Sequence, residues 1–200
     1  GLMLRILGKA SSINVRKVLW TCDEIGLAYE RRDEGPELAQ NPNGLAPVIV
    51  DGDFVLWESH TILRYLVGRY GGAQLLPQEP RRRAEIEQWI DWQATDLNSS
   101  WRYAFMALVR RDPAFDDPRQ IAASTVNWNR LMSILDARLA ATQAFVAGAD
   151  FTLADIPIGL SVNRWLMTPL ERSSCPAVEA YYERLSARPA FMKHGRNGIH

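Results

Sequence analysis

Through residue 70 the chain mixes short apolar runs with helical spacings, and from residue 83 onward only the helical spacings remain. Residues 4–7, Leu-Arg-Ile-Leu, read as a strand that stops at Gly8 and a polar loop, Ser11-Ser12-Ile13-Asn14. Val15, Val18, Leu19, Cys22 and Ile25 then recur at the spacing that gathers side chains on one face of a helix. Gly26 stands where a helix is closed by a residue in the left-handed conformation. A second strand is predicted over 28–32. Strand, helix, strand in that order implies a parallel pair joined by a right-handed crossover.

Residues 47–50 and 54–57 are apolar runs around Asp51-Gly52-Asp53, which predicts a hairpin with Asp51-Gly52 at its turn. Ser59 precedes the periodic residues Ile62, Leu63 and Leu66 and is expected to cap their helix. A stretch with Gly and Pro over 71–80 reads as a linker. Beyond it lie helical patterns over 83–110, 121–139, 153–166 and 177–186, with Ile86, Trp89, Ile90, Leu97 and Trp101 on the first. The expected architecture is an α/β N-terminal domain over 1–78 followed by an all-α C-terminal domain over 79–200.

Composition narrows the function without naming it. The chain has 200 residues, 47% hydrophobic and 23% charged, the profile of a globular protein. Its 23 basic residues balance its 23 acidic ones, so no net field recruits nucleic acid or an anionic membrane. No apolar stretch approaches the ~20 residues of a membrane helix, and residues 1–8 carry no leader pattern. Cys22 and Cys175 are far apart and give no metal spacing, and His60, His194 and His200 make no metal cluster. A reduced, cytoplasmic protein without a metal is expected.

Four segments in order carry a resemblance: Ser11-Ser12-Ile13-Asn14-Val15-Arg16, Asn41-Pro42-Asn43-Gly44-Leu45-Ala46-Pro47, Glu58-Ser59, and Phe151-Thr152-Leu153-Ala154-Asp155. At this spacing the chain resembles the cytosolic glutathione transferases, particularly bacterial, theta-like members. The resemblance implies a thioredoxin-like N-terminal domain and a helical C-terminal domain that takes an electrophile. It further implies glutathione as co-substrate, a detoxification role and a symmetric homodimer, to which Trp57 and the helix over 86–92 are apolar enough to contribute.

The resemblance also implies roles for individual residues. Pro47 would follow a cis bond, letting Ala46 offer its backbone to the cysteinyl part of glutathione in the manner of an added strand. The N–H groups at the start of the helix after Glu58 would hold the γ-glutamyl carboxylate, with Ser59 at that end and Glu58 receiving the ammonium. The nucleophile in this chemistry is the thiolate, which a hydroxyl or amide donor can favour. Ser12 is the candidate sulfur donor, Asn14 a second contributor, and Ser11 the alternative in a zeta-like alignment. The same Ser and Asn side chains also serve simply as helix caps. Trp101, Arg102 and Phe105 are candidates for the electrophile pocket, although aromatic residues at helical spacing also build cores.

Thr152 and Asp155 read as a capping box, a folding signal rather than an acid or base, with Phe151 and Ile156 as its staple. Cys22 lies on the buried stripe and is expected to be inert. A first loop without C-x-x-C excludes thiol–disulfide exchange of the thioredoxin type. Glutathione-dependent reduction of a peroxide or disulfide, or a non-catalytic member of the fold, remain alternatives to conjugation. Only 33–40 lies between the second strand and the 41–47 turn, and Asp33, Glu34 and Glu37 make it acidic. A poorly formed, mobile segment is expected there, holding the glycine end of glutathione weakly.

Overall fold

The structure, a computed structural model, describes residues 3–200. Gly1 and Leu2, the start of the stretch read for a leader, lie outside the described residues. The chain divides into two compact units: the part through Arg83 together with Pro189–Asn197, and Ala84–Arg188 together with Gly198–His200.

The first unit is built on a four-stranded sheet in the order β2-β1-β3-β4, from β1 (Leu4–Leu7), β2 (Tyr29–Arg32), β3 (Val48–Asp51) and β4 (Phe54–Trp57). β1 and β2 are parallel, Leu4 opposite Tyr29, while β3 runs antiparallel to both β1 and β4. α1 (Ile13–Glu24) makes the crossover. Its C-terminus closes as expected: Gly26 has φ 68°, and the Leu27 N–H donates to Cys22 O at 2.9 Å. α2 (Ser59–Tyr70) follows β4 and ends at Gly71, also left-handed.

Three expectations need correction in this unit. The hairpin turn is Gly52-Asp53, one residue later than expected. Asp51 still pairs with Phe54, and Gly52 supplies the positive φ of 64° at the first turn position. Asp51 is thereby free to accept from Tyr65 Oη at 2.5 Å and Tyr70 Oη at 2.7 Å. Ser59 is not the cap of α2 but its first helical residue; the cap position falls on Glu58. The 33–40 segment is not poorly formed: Pro36–Gln40 makes a 3₁₀ helix. Pro36 presets its first φ, Leu38 seats on Leu7, Val48 and Val50, and Arg5 Nη2 donates to Glu37 Oε1 at 2.9 Å.

α1 carries more than the expected stripe. Arg16, Lys17, Trp20 and Thr21 are buried beside Val15, Val18, Leu19 and Cys22. Part of that cover comes from Pro189–His194, a short helix absent from the sequence reading. Its Phe191 packs 5.0 Å from the Trp20 ring, and its His194 Nε2 lies 2.7 Å from Asp23 Oδ2.

The remaining helices are α3 (Pro80–Trp92), which starts at the end of the first unit, and in the second unit α4 (Asn98–Leu108), α5 (Pro118–Thr142), α6 (Asp155–Met167) and α7 (Pro176–Leu185); the 189–194 helix of the first unit is α8. The single long pattern over 83–110 is in fact α3 and α4 joined by a π-helical segment, Gln93–Leu97. The wider turn brings Gln93 and Leu97 to the core together, and Gln93 Nε2 donates to Ser161 Oγ on α6 at 3.1 Å. α6 is buried from Asp155 to Trp165. Half of the expected capping box is present: Asp155 Oδ2 accepts from the Thr152 N–H at 2.9 Å. The other half is missing, because Thr152 Oγ1 makes no hydrogen bond. Asp155 Oδ1 instead accepts from Val146 N–H at 3.0 Å and Tyr181 Oη at 2.6 Å.

Candidate functional site

A pocket of about 110 Å³ in the first unit brings together Asn14, Ala46, Pro47, Glu58 and Ser59 with Asn41, Asn43 and Leu45. Three pieces of chain meet there: the first turn of α1, the 41–47 turn and the first turn of α2. The 41–47 turn is shaped by Asn41, whose Oδ1 accepts from the Asn43 N–H at 2.9 Å and whose Nδ2 donates to Leu45 O at 2.8 Å. Such a side chain mimics a backbone turn. The Ala46–Pro47 bond is cis, so the chain bends at Ala46 just before entering β3.

Gly8, at the end of β1, makes this meeting possible. A β-carbon on it would stand 2.5 Å from Val15 Cγ2 and 2.7 Å from Ala46 Cβ, and its φ is 138°. Only a hydrogen atom fits where β1, α1 and the turn converge.

Glu58 has φ 75° and ψ 110°, a conformation that L side chains rarely adopt. Its carbonyl nevertheless accepts the first helical bond, from the Ile62 N–H at 2.9 Å. Ser59 therefore sits inside the first turn, among N–H groups with no partner further back in the helix. Those groups and the positive end of the helix dipole favour an anion. The exposed carboxylate of Glu58 beside them suits a cation, so the pocket offers adjacent places for opposite charges.

The serines occupy a different position. Ser12 is the N-cap of α1, its Oγ accepting from the Val15 N–H at 3.4 Å. Accepting there leaves the hydroxyl proton for another acceptor. Ser11 is exposed. Neither serine lines the pocket, whereas Asn14 does. Cys22 is not a competing nucleophile, since burial pushes its thiol up to about 12. Cys175 is buried too, and burial raises its thiol.

In the second unit the three electrophile-pocket candidates separate. Trp101 and Phe105 are 3% and 4% exposed. The Arg164 guanidinium lies 3.9 Å from the Phe105 ring centre and 5.3 Å from that of Trp101. Arg102 is exposed and lines an open pocket of about 490 Å³ with Ser99, Tyr103, Phe115, Ser124 and Asn127. Its guanidinium sits 5.6 Å from the Phe115 ring centre. Among the described residues, no group of three His, Cys, Asp or Glu side chains is arranged for a metal, and no helix is long and apolar enough to cross a membrane.

Sequence profiles described as "Glutathione S-transferase, N-terminal domain" and "Glutathione S-transferase, C-terminal domain" match residues 7–74 and 102–189. The chain belongs to the glutathione S-transferase family. Full-length relatives agree. It is 38% identical over 202 residues to glutathione S-transferase GstB of Escherichia coli K12, covering 96% of this chain and 97% of that one. It is 32% identical to glutathione S-transferase 3 of Zea mays, over 95% and 92% of the two chains. Among solved structures it is similar to the theta class glutathione S-transferase of the citrus canker pathogen Xanthomonas axonopodis pv. citri with glutathione bound. That likeness has a TM-score of 0.90 at 36% identity, over 98% of this chain and 99% of that chain. The sheet-and-helix first unit is thus the thioredoxin-like domain of the family fold, and the helical second unit its C-terminal domain.

Asn41 and Asn43 were not among the sequence-derived binding residues of this glutathione transferase, although both belong to the turn motif. The Asn-Pro-Asn-Gly run was the available signal, because Asn side chains build such turns and stay near whatever the turn faces.

Proposed function

We infer that the protein is a glutathione transferase that binds the tripeptide in the 110 Å³ pocket and delivers its sulfur, as thiolate, to a small electrophile. The observation that carries this reading is the convergence of Asn14, Ala46, Glu58 and Ser59 on one pocket at the N-terminus of α2. In this reading the α2 N-terminus and Ser59 take the γ-glutamyl carboxylate and Glu58 takes the ammonium. The Ala46 backbone pairs with the cysteinyl residue. The sulfur then extends toward the start of α1, where Ser12 donates its hydroxyl proton and Asn14 adds an amide. Stabilising the anion by one pKa unit corresponds to about 1.4 kcal/mol. The thiol proton leaves to solvent, the sulfur lone pair forms the bond to carbon, and the leaving group departs with its electron pair.

We assign glutathione binding to residues 1–78 and the electrophile to residues 79–200, with Arg102 its candidate contact. The reading includes a cytoplasmic homodimer that acts in detoxification. Retention on immobilised glutathione with elution by free ligand, followed by turnover of aryl halides, epoxides and peroxides, tests the function. Binding without turnover of any of them would point to a non-catalytic member. Ser12→Ala tests the sulfur contact: losing a hydrogen bond to a charged group costs about 1.5–3 kcal/mol, so the bound thiol should titrate higher. An unchanged titration in Ser12→Ala with a shifted one in Ser11→Ala reassigns the role.

A further inference from the structure

Lys17 and His60 lie outside the pocket, yet they join the two helices that build it. Both are buried, 3% and 9% exposed, and Lys17 Nζ is 2.9 Å from His60 Nε2. Lys17 follows Asn14 by three residues on α1, so it lies on the turn next to the sulfur-side contacts. His60 directly follows Ser59 in the first turn of α2. An ammonium has donors only, so the imidazole nitrogen accepts and the ring is neutral. Burial first, then the Lys17 and Arg64 charges, push its pKa down to about 2, so it keeps that role throughout the neutral range.

Stability alone is a poor reason for this arrangement. Withdrawing an ammonium from water is expensive, and apolar residues of similar volume often serve a core as well or better. What the pair supplies that packing does not is direction. A hydrogen bond fixes distance and angle between two specified atoms, whereas apolar contact tolerates sliding and repacking. The two ends of this bond sit on the elements that hold opposite ends of one small ligand.

We propose that Lys17 and His60 are a positioning pair that locks the first turn of α2 against α1, and so sets the spacing between the γ-glutamyl contacts and the sulfur contacts of bound glutathione. This rests on the glutathione reading above.

The test compares the full chain as wild type, His60→Gln, His60→Leu and the double variant Lys17→Met/His60→Leu. Melting temperature, calorimetric affinity for glutathione, and KM for glutathione and for an aryl halide are measured. The double variant replaces a buried polar pair by an apolar one and should melt within a few degrees of wild type. A misplacement of about 1 Å can cost about 100-fold at a reacting site, and a looser α2 turn should cost roughly tenfold in glutathione affinity and KM. The KM for the aryl halide should stay unchanged. His60→Gln keeps an acceptor for Lys17 and should bind glutathione better than His60→Leu. Wild-type glutathione affinity in the double variant, or equal affinity in the Gln and Leu variants, overturns the positioning role. A wild-type protein that does not bind glutathione at all overturns the functional reading instead, and the pair's role with it.

Discussion

Gly8→Ala is the sharpest single perturbation of the pocket's construction. The new methyl group would stand 2.5 Å from Val15 Cγ2, 2.7 Å from Ala46 Cβ and 3.9 Å from Ala46 Cα. Neither close neighbour can swing aside. Val15 is β-branched, fully buried and held in α1, and the Ala46 methyl moves only with its backbone. The substitution also forces an L residue to φ 138°, at about 1–3 kcal/mol. Overpacking adds about 1–3 kcal/mol, for a total of about 2–6 kcal/mol against a typical domain stability of about 5–15 kcal/mol. Gly26→Ala is the control, since Gly26 has φ 68° but nothing within 4 Å of an added β-carbon. It should show conformational strain alone, about 1–2 kcal/mol. Urea unfolding of both variants gives, as their difference, the contact contribution together with any extra strain of φ 138° over φ 68°. Relief falls on Ala46, the more exposed neighbour, so Gly8→Ala should also lose glutathione affinity beyond its loss of stability. Equal unfolding free energies for the two variants, with wild-type affinity in Gly8→Ala, would refute the close-approach argument.

Three further outcomes are expected. Burial raises the Asp155 carboxyl from 3.8 to about 6 against the opposing bonds from Tyr181, Thr152 and Val146. The folded state then binds more protons than the unfolded one between about pH 4 and pH 6, so this group's contribution to stability falls as pH rises through that window; melting curves of Asp155→Asn should lack this slope, and an identical slope refutes the assignment. Glu58→Gly releases the backbone at φ 75°, so the variant should melt at or above the wild-type temperature while being retained less on immobilised glutathione; a clear drop in melting temperature contradicts the strain. The homodimer reading, in which half-buried Trp57 and the 86–92 part of α3 contribute, predicts sedimentation at twice the chain mass; a species of 22.6 kDa alone at micromolar concentration would sink it.

The sequence rendered the regular elements well where hydrophobic period and punctuation agreed. Strand β1 and the α1 terminus at Gly26 follow from local rules alone, and so does the antiparallel β3–β4 pair. Disagreement arose where a tertiary contact outvoted the local signal. Residues 36–40 lack the length for a free-standing helix, but Leu38 on the sheet face and the Arg5–Glu37 pair hold one turn of it. The 83–110 pattern has no feature that marks a π turn, because the extra residue shows only in which side chains reach the core. The 189–194 helix is too short for periodicity to detect, and its place depends on Trp20 and Asp23, far away in the chain.

Several residues at or beside the pocket depart from local rules, and for a common physical reason. Ser59 has the composition of a helix cap and propensity argues against a positive φ at Glu58, yet the cap position and a φ of 75° both fall on Glu58. With the cap position moved back one residue, Ser59 lies in the first turn of α2 and lines the pocket. Lys17 breaks the stripe of α1 in the same way, since a charge between Arg16 and Val18 should mark a solvated face and is instead buried against His60. Asn41, beside exposed Pro42 and Asn43, should be a solvated turn residue and is buried to shape the turn. Local propensity describes the conformation a segment prefers when nothing else constrains it. A site that must present opposite charges to one small ligand imposes such a constraint, and residues that violate propensity there are held by the rest of the fold. In this chain Glu58 and Asn41, which line the pocket, and Lys17, bonded to His60 next to Ser59, are residues of that kind.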